Sequence, residues 1–180
     1  MIKIQPLQKS QLPEFFIYLK KHLSENDGLH GPLFQPLSKN ESLLTEKWKV
    51  KFANMFDTKP DDKNWRKLWI AQNADEQIVG HIDIRNHKLP NVPHRVLLGM
   101  GVDSSFRKLK IGQKLVEFII AYCKNDPKIA WLDLEVMAVN APAINLYKKF
   151  NFDQQSYIKD MFQIDGQFYD YVGMSLNVIK

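Results

Sequence analysis

The run Arg107-Lys-Leu-Lys-Ile-Gly112 combines basic side chains with a glycine, which are residue types that proteins use to bind phosphate groups. It follows an apolar segment, residues 96–102 (VLLGMGV), and precedes a segment whose apolar residues recur at helical spacing. A loop between a strand and a helix directs backbone N–H groups and the positive end of the helix dipole at an anion. An ordinary connection with solvated lysines remains the alternative at this point, because short glycine motifs are common.

A second run, residues 140–152 (NAPAINLYKKFNF), follows another apolar segment, residues 131–136. Asn140 is a typical helix N-cap, and Leu146 and Phe150 indicate that the following helix packs against the core. Tyr147 lies on the same helix. It is therefore either a buried aromatic residue or a hydroxyl group available for proton transfer, and the residues alone leave both roles open.

These two runs lie within an alternation of predicted strands and helices. Ser10 predicts a helix N-cap, the glycines and prolines of residues 26–38 predict a loop, and Asp165-Gly166 predicts a two-residue hairpin turn. The succession of strand, helix and strand in residues 96–136 predicts a right-handed parallel crossover. The predicted strands are residues 2–6, 65–72, 77–85, 96–102, 131–136, 152–164 and 168–178, and the predicted helices follow Ser10, span residues 41–56, follow Gly112 and span residues 141–149.

Two glycines interrupt the apolar segment before the basic loop. Gly99 and Gly101 weaken residues 96–102 as a purely structural strand, because glycine has no side chain to pack. The same absence permits a bulge or the close approach of a ligand to the backbone. This pattern is typical of a binding site.

Composition limits the classes of protein that the chain can represent. Its 180 residues are 44% hydrophobic, which predicts one domain over residues 1–180. The net charge of +5 suits a polyanionic ligand, but the lysines are dispersed, which argues against a nucleic-acid-binding domain. The single Cys123, the first ten residues and the absence of a long apolar run predict a cytoplasmic location without membrane insertion. The histidines have no metal-ligand spacing, so no metal is expected.

The order of elements and the two runs together resemble the GNAT superfamily of acyl-CoA-dependent N-acyltransferases. In the family's cofactor loop, Arg or Gln is followed by two residues, Gly, one residue, and Gly or Ala. Here Lys110 stands at the first glycine position, and Asn151 replaces a later glycine before Phe152. Asparagine tolerates the left-handed conformation better than other residues with a side chain. The matching residues are Arg107, Ile111, Gly112, Asn140, Ala143, Leu146, Tyr147 and Phe152.

The resemblance implies an α/β (α+β) fold with a mixed, centrally splayed β-sheet of about seven strands and about four flanking helices. It also implies acetyl-CoA as the acyl donor and direct attack of a primary amine on the acetyl group. The residues implied to bind acetyl-CoA are Met100, Gly101, Val102, Arg107, Lys108, Leu109, Lys110, Ile111, Gly112, Gln113, Lys114, Asn140 and Tyr147.

By the same resemblance, Tyr147 is the expected general acid for the departing thiolate. Glu135, on the strand before Asn140, is the first choice for the general base, although a solvated carboxylate on a strand face explains it almost equally well. Phe34 and Tyr169 belong to segments that flank the acceptor cleft in this family. His81 and His94 can titrate near neutral pH and are weaker candidates for the base, and no base is needed if the amine reaches the site with a lowered pKa. We therefore expect Phe34, His81, His94 and Tyr169 to contact the acceptor.

The sequence favours a small-molecule amine as acceptor, because the loop of residues 26–38 can close the cleft. Two alternatives stay open. One is an acetyltransferase for protein N-termini or lysines, and the other is a non-catalytic regulatory module that binds acyl-CoA. A homodimer is also left open.

Overall fold

The computed structural model describes residues 1–29, 31–38, 41, 44–60 and 62–179. Its strands form one mixed sheet in the order β1-β2-β3-β4-β5-β7-β6, and helices cover both faces. The strands are β1 (Lys3–Pro6), β2 (Arg66–Gln72), β3 (Ile78–Asn86), β4 (Arg95–Val102), β5 (Trp131–Met137), β6 (Asp153–Ile164) and β7 (Gln167–Asn177). The α-helices are α1 (Leu12–Ser24), α2 (Glu46–Asn54), α3 (Ile111–Lys124) and α4 (Ala141–Lys149).

The parallel pair β4–β5 is the one that organises the sheet. The two strands pair over three positions, Arg95 with Trp131, Val96 with Leu132 and Leu97 with Asp133. Beyond Leu97, β4 continues to pair with β3 and β5 continues to pair with β7. The sheet therefore splits at its centre, as the family resemblance implies, and the connection through α3 is the predicted parallel crossover.

One face of the sheet, here called the α1 face, packs against α1 and α2. Helix α1 contributes Phe15 and Tyr18, and α2 contributes Phe52, whose ring stacks on Phe15 with the centroids 5.6 Å apart. Strand β2 contributes Leu68 and Ile70 to the same buried cluster. Because side chains alternate along a strand, the neighbouring residues of β2 belong to the opposite face.

The opposite face, here called the α3 face, carries the larger core. Ile111, Leu115 and Ile119 recur along α3 at the spacing that gives one apolar stripe, and they are almost completely buried. They pack over strands β3, β4 and β5 together with Tyr147 of α4. Cys123 is also fully buried in this core, and burial raises its pKa to about 12, which suits a small apolar residue better than a nucleophile.

The predicted strand boundaries lie within one residue of the observed ones, and the larger differences concern the helices. Ser10 lies inside a 3-10 turn, Lys9–Gln11, and α1 begins at Leu12, so the N-cap prediction for Ser10 is wrong. Helix α2 begins later than predicted, because Thr45 caps it by accepting a hydrogen bond from Trp48 N. Residues 42 and 43 of that prediction lie outside the described residues. Helix α3 begins at Ile111 and therefore includes Gly112.

The last two strands form the predicted hairpin. Asp165 and Gly166 both have positive φ, +46° and +81°, as a two-residue hairpin turn of this type requires. Strand β5 pairs along its whole length with residues 171–177 of β7, which closes the splayed half of the sheet on one side. Among the described residues, no helix is long and apolar enough to cross a membrane.

Candidate active site

The gap between β4 and β5 exposes backbone hydrogen-bonding groups of β4. His94 O accepts hydrogen bonds from Ala130 N and Trp131 N on the β5 side, whereas Asp103 N donates to Val79 O of the β3 side. Backbone groups alternate in direction along a strand. The N–H and C=O groups of Met100 and Val102 therefore point into the gap, beyond the last residue of β4 that pairs with β5.

The loop after β4 forms a concave row of backbone N–H groups at the mouth of this gap. Lys108 and Lys110 both adopt left-handed backbone conformations, with φ of +63° and +61°. Among the described residues, the N–H groups of residues 108–113 donate to no backbone carbonyl, and no side chain caps α3. Backbone that alternates in this way forms an anion-binding nest, and the positive end of the α3 dipole adds to it.

The structure explains why a glycine is expected at position 110 and how lysine replaces it. The left-handed conformation costs a residue with a side chain about 1–2 kcal/mol, whereas glycine adopts it freely. Lys110 adopts the left-handed conformation despite this cost. Its side chain is exposed. The side chain consequently leaves the row of N–H groups open. Asn151 has φ of +62°, so it also adopts the left-handed conformation that the family's glycine favours.

Gly112 also has a packing role. Its backbone is helical, and a Cβ placed there would lie 3.2 Å from Leu146 Cδ2 and 3.8 Å from Met100 Cε. The glycine therefore lets α4 pack closely on the start of α3. Lys114 N donates to Lys110 O at 3.1 Å, so Lys114 has only its ammonium group to offer a phosphate.

Helix α4 brings Asn140 and Tyr147 to the other side of the gap. Asn140 Oδ1 accepts a hydrogen bond from Ala143 N at 3.3 Å, so the N-cap role of Asn140 is real. Tyr147 is 6% exposed and packs against Phe152 with ring centroids 5.5 Å apart. Burial, and secondarily the charge of Asp83, raise the pKa of Tyr147 well above its usual value. Tyr147 therefore keeps its phenolic proton throughout the physiological range.

Two histidines lie over β4 on the α1 face, where Gly101 makes room for them. A Cβ at Gly101 would lie 2.6 Å from both His22 Nε2 and His81 Cε1. His81 Nδ1 forms a hydrogen bond of 2.9 Å with Tyr18 OH, whereas His22 Nδ1 is buried without a partner among the described residues. Burial lowers the pKa of His22 to about 4 and that of His81 to about 3, so both rings are neutral at pH 7.

The loop after α1 covers this part of the sheet. Phe34 stacks on His22 with ring centroids 4.5 Å apart, and Leu33 is buried beside Met137 and Ile164. Asn26 holds the loop: its Oδ1 accepts hydrogen bonds from Phe34 N and Gln35 N, and its Nδ2 donates to Gln35 O. The predicted loop is thus an ordered cover over the α1 face. His30 lies outside the described residues.

The end of α1 is tied to the loop after β4 by charged groups. Lys21 Nζ lies 2.7 Å from Asp103 Oδ2, and Ser104 Oγ donates to Glu25 Oε1. Burial would raise the pKa of Asp103, but hydrogen bonds from Lys21 and Ser105 outweigh it and hold the pKa below its usual range. Arg107 Nη2 approaches Glu25 Oε2 at 3.8 Å. The cover and the anion-binding loop are therefore parts of one assembly.

A cluster of charged residues lies on the α1 face beside the beginning of the gap. Asp83 forms ion pairs with Arg66 Nε at 3.1 Å and with Arg85 Nη1 at 3.2 Å. These side chains fold over Gly99, where a Cβ would lie 2.5 Å from Asp83 Oδ2 and 2.8 Å from Arg85 Nη1. Gly99 and Gly101 thus accommodate side chains of the protein itself, rather than only a ligand.

Glu135 lies on the α1 face of β5, across the gap from this cluster. Its carboxylate is exposed and is 3.5 Å from Tyr171 OH. Burial, together with the charge of Glu135, raises the pKa of Tyr171 to about 12, while the charge of Arg85 acts in the opposite direction. Tyr169, two residues earlier on β7, packs with the buried cluster of Leu33, Met137 and Ile164. Glu135 is therefore an accessible carboxylate that lies beside apolar side chains of β5 and β7.

The structure brings most of the predicted residues to one place and separates one of them. Residues 100–102, the loop 107–114, Asn140 and Tyr147 surround the gap, whereas Phe34, His81, Glu135 and Tyr169 belong to the α1 face beside it. His94 is exposed at the other end of β4, seven residues before Gly101 and about 23 Å away. It lines a cavity of about 910 Å³ with Phe52, Trp65 and Tyr122, away from the gap.

Several residues of this region were not found from the sequence. Asn26, His22, Asp83 and Arg85 reach the site only because α1, β3 and the cover fold together. Arg85 alternates with Asp83 and His81 along β3, and that polar alternation at the centre of a sheet is the signal that could have found them. Asp133 belongs to a separate network, with Arg95 Nε at 2.7 Å and His87 Nε2 at 2.8 Å.

Comparisons with known proteins agree with this geometry. A family model described as Acetyltransferase (GNAT) family matches residues 37–152. The L-amino acid N-acetyltransferase AaaT of Escherichia coli (strain K12) is 30% identical over 96 residues, which are 53% of this chain and 59% of the relative. The match thus spans less than two thirds of that relative's length. An N-alpha-acetyltransferase of Sulfolobus acidocaldarius is 27% identical over 113 residues, 58% of this chain and 67% of the relative.

A solved structure shows the same fold. The crystal structure of smu.2055 from Streptococcus mutans UA159 superposes on this chain with a TM-score of 0.77 and 24% identity. The superposition covers 98% of this chain and 99% of the other. The seven-stranded, centrally split sheet with four α-helices therefore matches a known architecture over its full length.

Proposed function

Because the chain belongs to the GNAT acetyltransferase family, we propose that it is an N-acetyltransferase that moves an acetyl group from acetyl-CoA to a primary amine. The observation that carries the proposal is the row of N–H groups over residues 108–113 at the mouth of the β4–β5 gap, which donate to no backbone carbonyl in the described part of the chain. The sheet includes strands from both ends of the chain, which supports a single catalytic domain over residues 1–180.

The proposed binding mode for acetyl-CoA follows from the shape and charge of the gap. The N–H groups of residues 108–113 would hold the pyrophosphate, with Arg107, Lys108 and Lys114 supplying positive charge. Gln113 and Leu109 contribute backbone groups to the same row. Met100 and Val102 would bind the pantetheine arm as a neighbouring strand does, and Asn140 would donate its free amide from the opposite side. Bound acetyl-CoA supplies an activated acyl group as a thioester.

The residues around the gap divide the proton transfers between them. Glu135 is exposed and faces the acceptor, so it would take the proton of the attacking amine directly or through water. The amine nitrogen forms a bond to the acetyl carbon while the carbon–sulfur bond breaks. Tyr147 would then give its proton to the departing thiolate, because burial keeps the phenol protonated. Backbone N–H groups of β4 would stabilise the negative charge on the carbonyl oxygen.

The ordered cover supports a small-molecule acceptor. The loop held by Asn26 places Leu33 and Phe34 over the α1 face beside the gap, which leaves little room for an extended polypeptide. Phe34 and Tyr169 would line the acceptor pocket. His81 would contribute a neutral imidazole, and His94, which lies far from the gap, is not part of the proposed pocket.

The proposal is tested by following CoA release with a thiol reagent while a panel of primary amines is offered. We expect acetyl-CoA to raise the melting temperature of the protein and at least one small amine to release CoA. No thermal shift with acetyl-CoA or CoA would contradict the proposal. A thermal shift without turnover of any amine would favour the non-catalytic module, and turnover of peptide amines alone would favour a protein acetyltransferase.

A further inference from the structure

We propose that the acceptor carries a carboxylate close to its amine and that Arg85 binds this carboxylate. The inference deepens the proposed function, because it names the chemical class of the acceptor for the same site. It rests on the charge balance of the cluster around Asp83, on the place of Arg85 in the sheet and on the position of Glu135.

The cluster of Arg66, Asp83 and Arg85 holds two positive charges and one negative charge. Among the residues that the structure describes, Asp83 is the carboxylate that forms ion pairs with both guanidinium groups, those of Arg66 and Arg85. Its side chain is 8% exposed, and the side chain of Arg66 is 24% exposed and lies 5.7 Å from the centroid of the Phe52 ring. The side chain of Arg85 is 34% exposed. Arg85 is therefore the guanidinium group of this cluster that a negatively charged ligand can reach.

The position of Arg85 relative to the gap is fixed by strand register. Arg85 and Asp83 fold over Gly99, which pairs with Asp83 across the β3–β4 ladder. On the other side, β4 pairs with β5 up to Leu97 and Asp133, so Glu135 is the β5 residue at the level of Gly99. Arg85 pairs with Leu97 of β4, and Leu97 pairs with Asp133 of β5, so strand register puts Arg85 and Glu135 on the same face of the sheet. Glu135 Oε2 lies 3.5 Å from Tyr171 OH on that face.

Arg85 carries a positive charge and Glu135 carries a negative charge on opposite sides of the start of the gap. This arrangement suits an acceptor that carries both charges, which is a zwitterion. A guanidinium presents parallel N–H donors that bind a carboxylate through two hydrogen bonds. Glu135 would bind the ammonium group of the acceptor and then accept its proton. An α-amino acid carries both groups within a few bonds. A polyamine, by contrast, would bring further positive charge against Arg85, and we therefore exclude it as the preferred class.

The test compares acceptors that differ only in the carboxylate. L-amino acids and their C-terminal carboxamides are assayed as pairs for kcat/KM by CoA release. We expect the wild-type protein to prefer the acid of each accepted pair by about 10- to 100-fold, the usual effect of losing a charged hydrogen-bonding partner. Arg85→Gln should remove that preference by weakening the acid alone, and Arg85→Lys should keep part of it.

Arg66→Gln is the matched control, because it removes the other guanidinium from the same carboxylate without facing the gap. It should keep the preference for the acid. Melting temperatures and the KM for acetyl-CoA of the three variants identify any loss of fold. Equal use of acids and amides by the wild-type protein, or an unchanged preference in Arg85→Gln, would overturn the inference.

The experiments distinguish a wrong acceptor class from a wrong acetyltransferase function. If amines without a carboxylate are acetylated as well as or better than amino acids, the acceptor class is wrong and the acetyltransferase function stands. If acetyl-CoA neither shifts the melting temperature nor releases CoA with any amine, the proposed function is wrong and the acceptor class is overturned with it.

Discussion

Lowering the pH should destabilise the protein through the histidines that lie over β4. An unfolded histidine has a pKa near 6.5, whereas the folded pKa of His22 is about 4 and that of His81 is about 3. Between these values the unfolded chain binds more protons than the folded chain. The free energy of unfolding therefore falls as the pH falls through this window.

The magnitude follows from the two pKa values of each group. Lowering the pH from 8 to 5 costs about 2 kcal/mol through His22 alone. His81, whose folded pKa is about 3, can add up to about the same amount over this range. Burial is the main cause for His22; Arg107 acts in the same direction, while Glu25 and Asp103 oppose it. In a chain of 180 residues, about 2 kcal/mol corresponds to about 4–8 °C in melting temperature.

The assay is urea unfolding at a series of pH values from 8 to 4.5, for the wild-type protein and His22→Gln. The variant cannot take up a proton at that position, so its loss of stability between pH 8 and 5 should be smaller by about 2 kcal/mol. His94→Gln, at the exposed end of β4, is the control for replacing a histidine outside this buried pair. Asp103 and Asp133, whose pKa values are lowered, lose their contribution only below about pH 3.8.

Two results would refute this reasoning. Stability that stays constant from pH 8 to 5 would mean that neither histidine is buried as a neutral ring. If the free energy of unfolding of His22→Gln falls with pH as steeply as that of the wild-type protein, His22 is not the cause of the pH dependence.

Two further predictions concern the gap and its helices. Gly101→Ala should destabilise the protein by about 1–3 kcal/mol in urea unfolding, because its Cβ would lie 2.6 Å from two packed imidazole rings. Gly173→Ala is the matched control and should cost much less, since its Cβ meets the Ser156 hydroxyl, which can rotate away; equal costs would contradict the packing argument. Tyr147→Phe should lower kcat about 100-fold or more in the CoA-release assay while the KM for acetyl-CoA changes little, and an unchanged kcat would remove Tyr147 from the chemistry.

Much of the fold could be predicted from the sequence because the signals are local. The periodicity of apolar residues predicts every strand and α-helix of the structure, and Asp165-Gly166 predicts the final hairpin. The larger errors concern helix starts, at Ser10, Thr45 and Ile111, whereas strand boundaries differ by one residue at most. Helix ends depend on which neighbouring group accepts or donates the terminal hydrogen bonds, and several residue types can do this.

The cofactor half of the site is a local feature, whereas the acceptor half is not. The basic loop and the α4 run each lie within a dozen residues, so their spacing could be compared with a family pattern. The left-handed backbone at Lys110 explains why that pattern has glycine there, and the exposed lysine shows how a side chain is tolerated.

The sequence by itself determined the strands, the helices, the family and the loop whose N–H groups can face a phosphate, because all of these follow from the order and spacing of nearby residues. The tertiary structure decided which charges meet. Arg66, Asp83 and Arg85 come from two strands, and their contacts depend on register and on the missing side chain of Gly99; Glu135 comes from a third strand. The splayed gap likewise exists because β4 and β5 pair over three positions and then follow different neighbours. No local pattern encodes that separation.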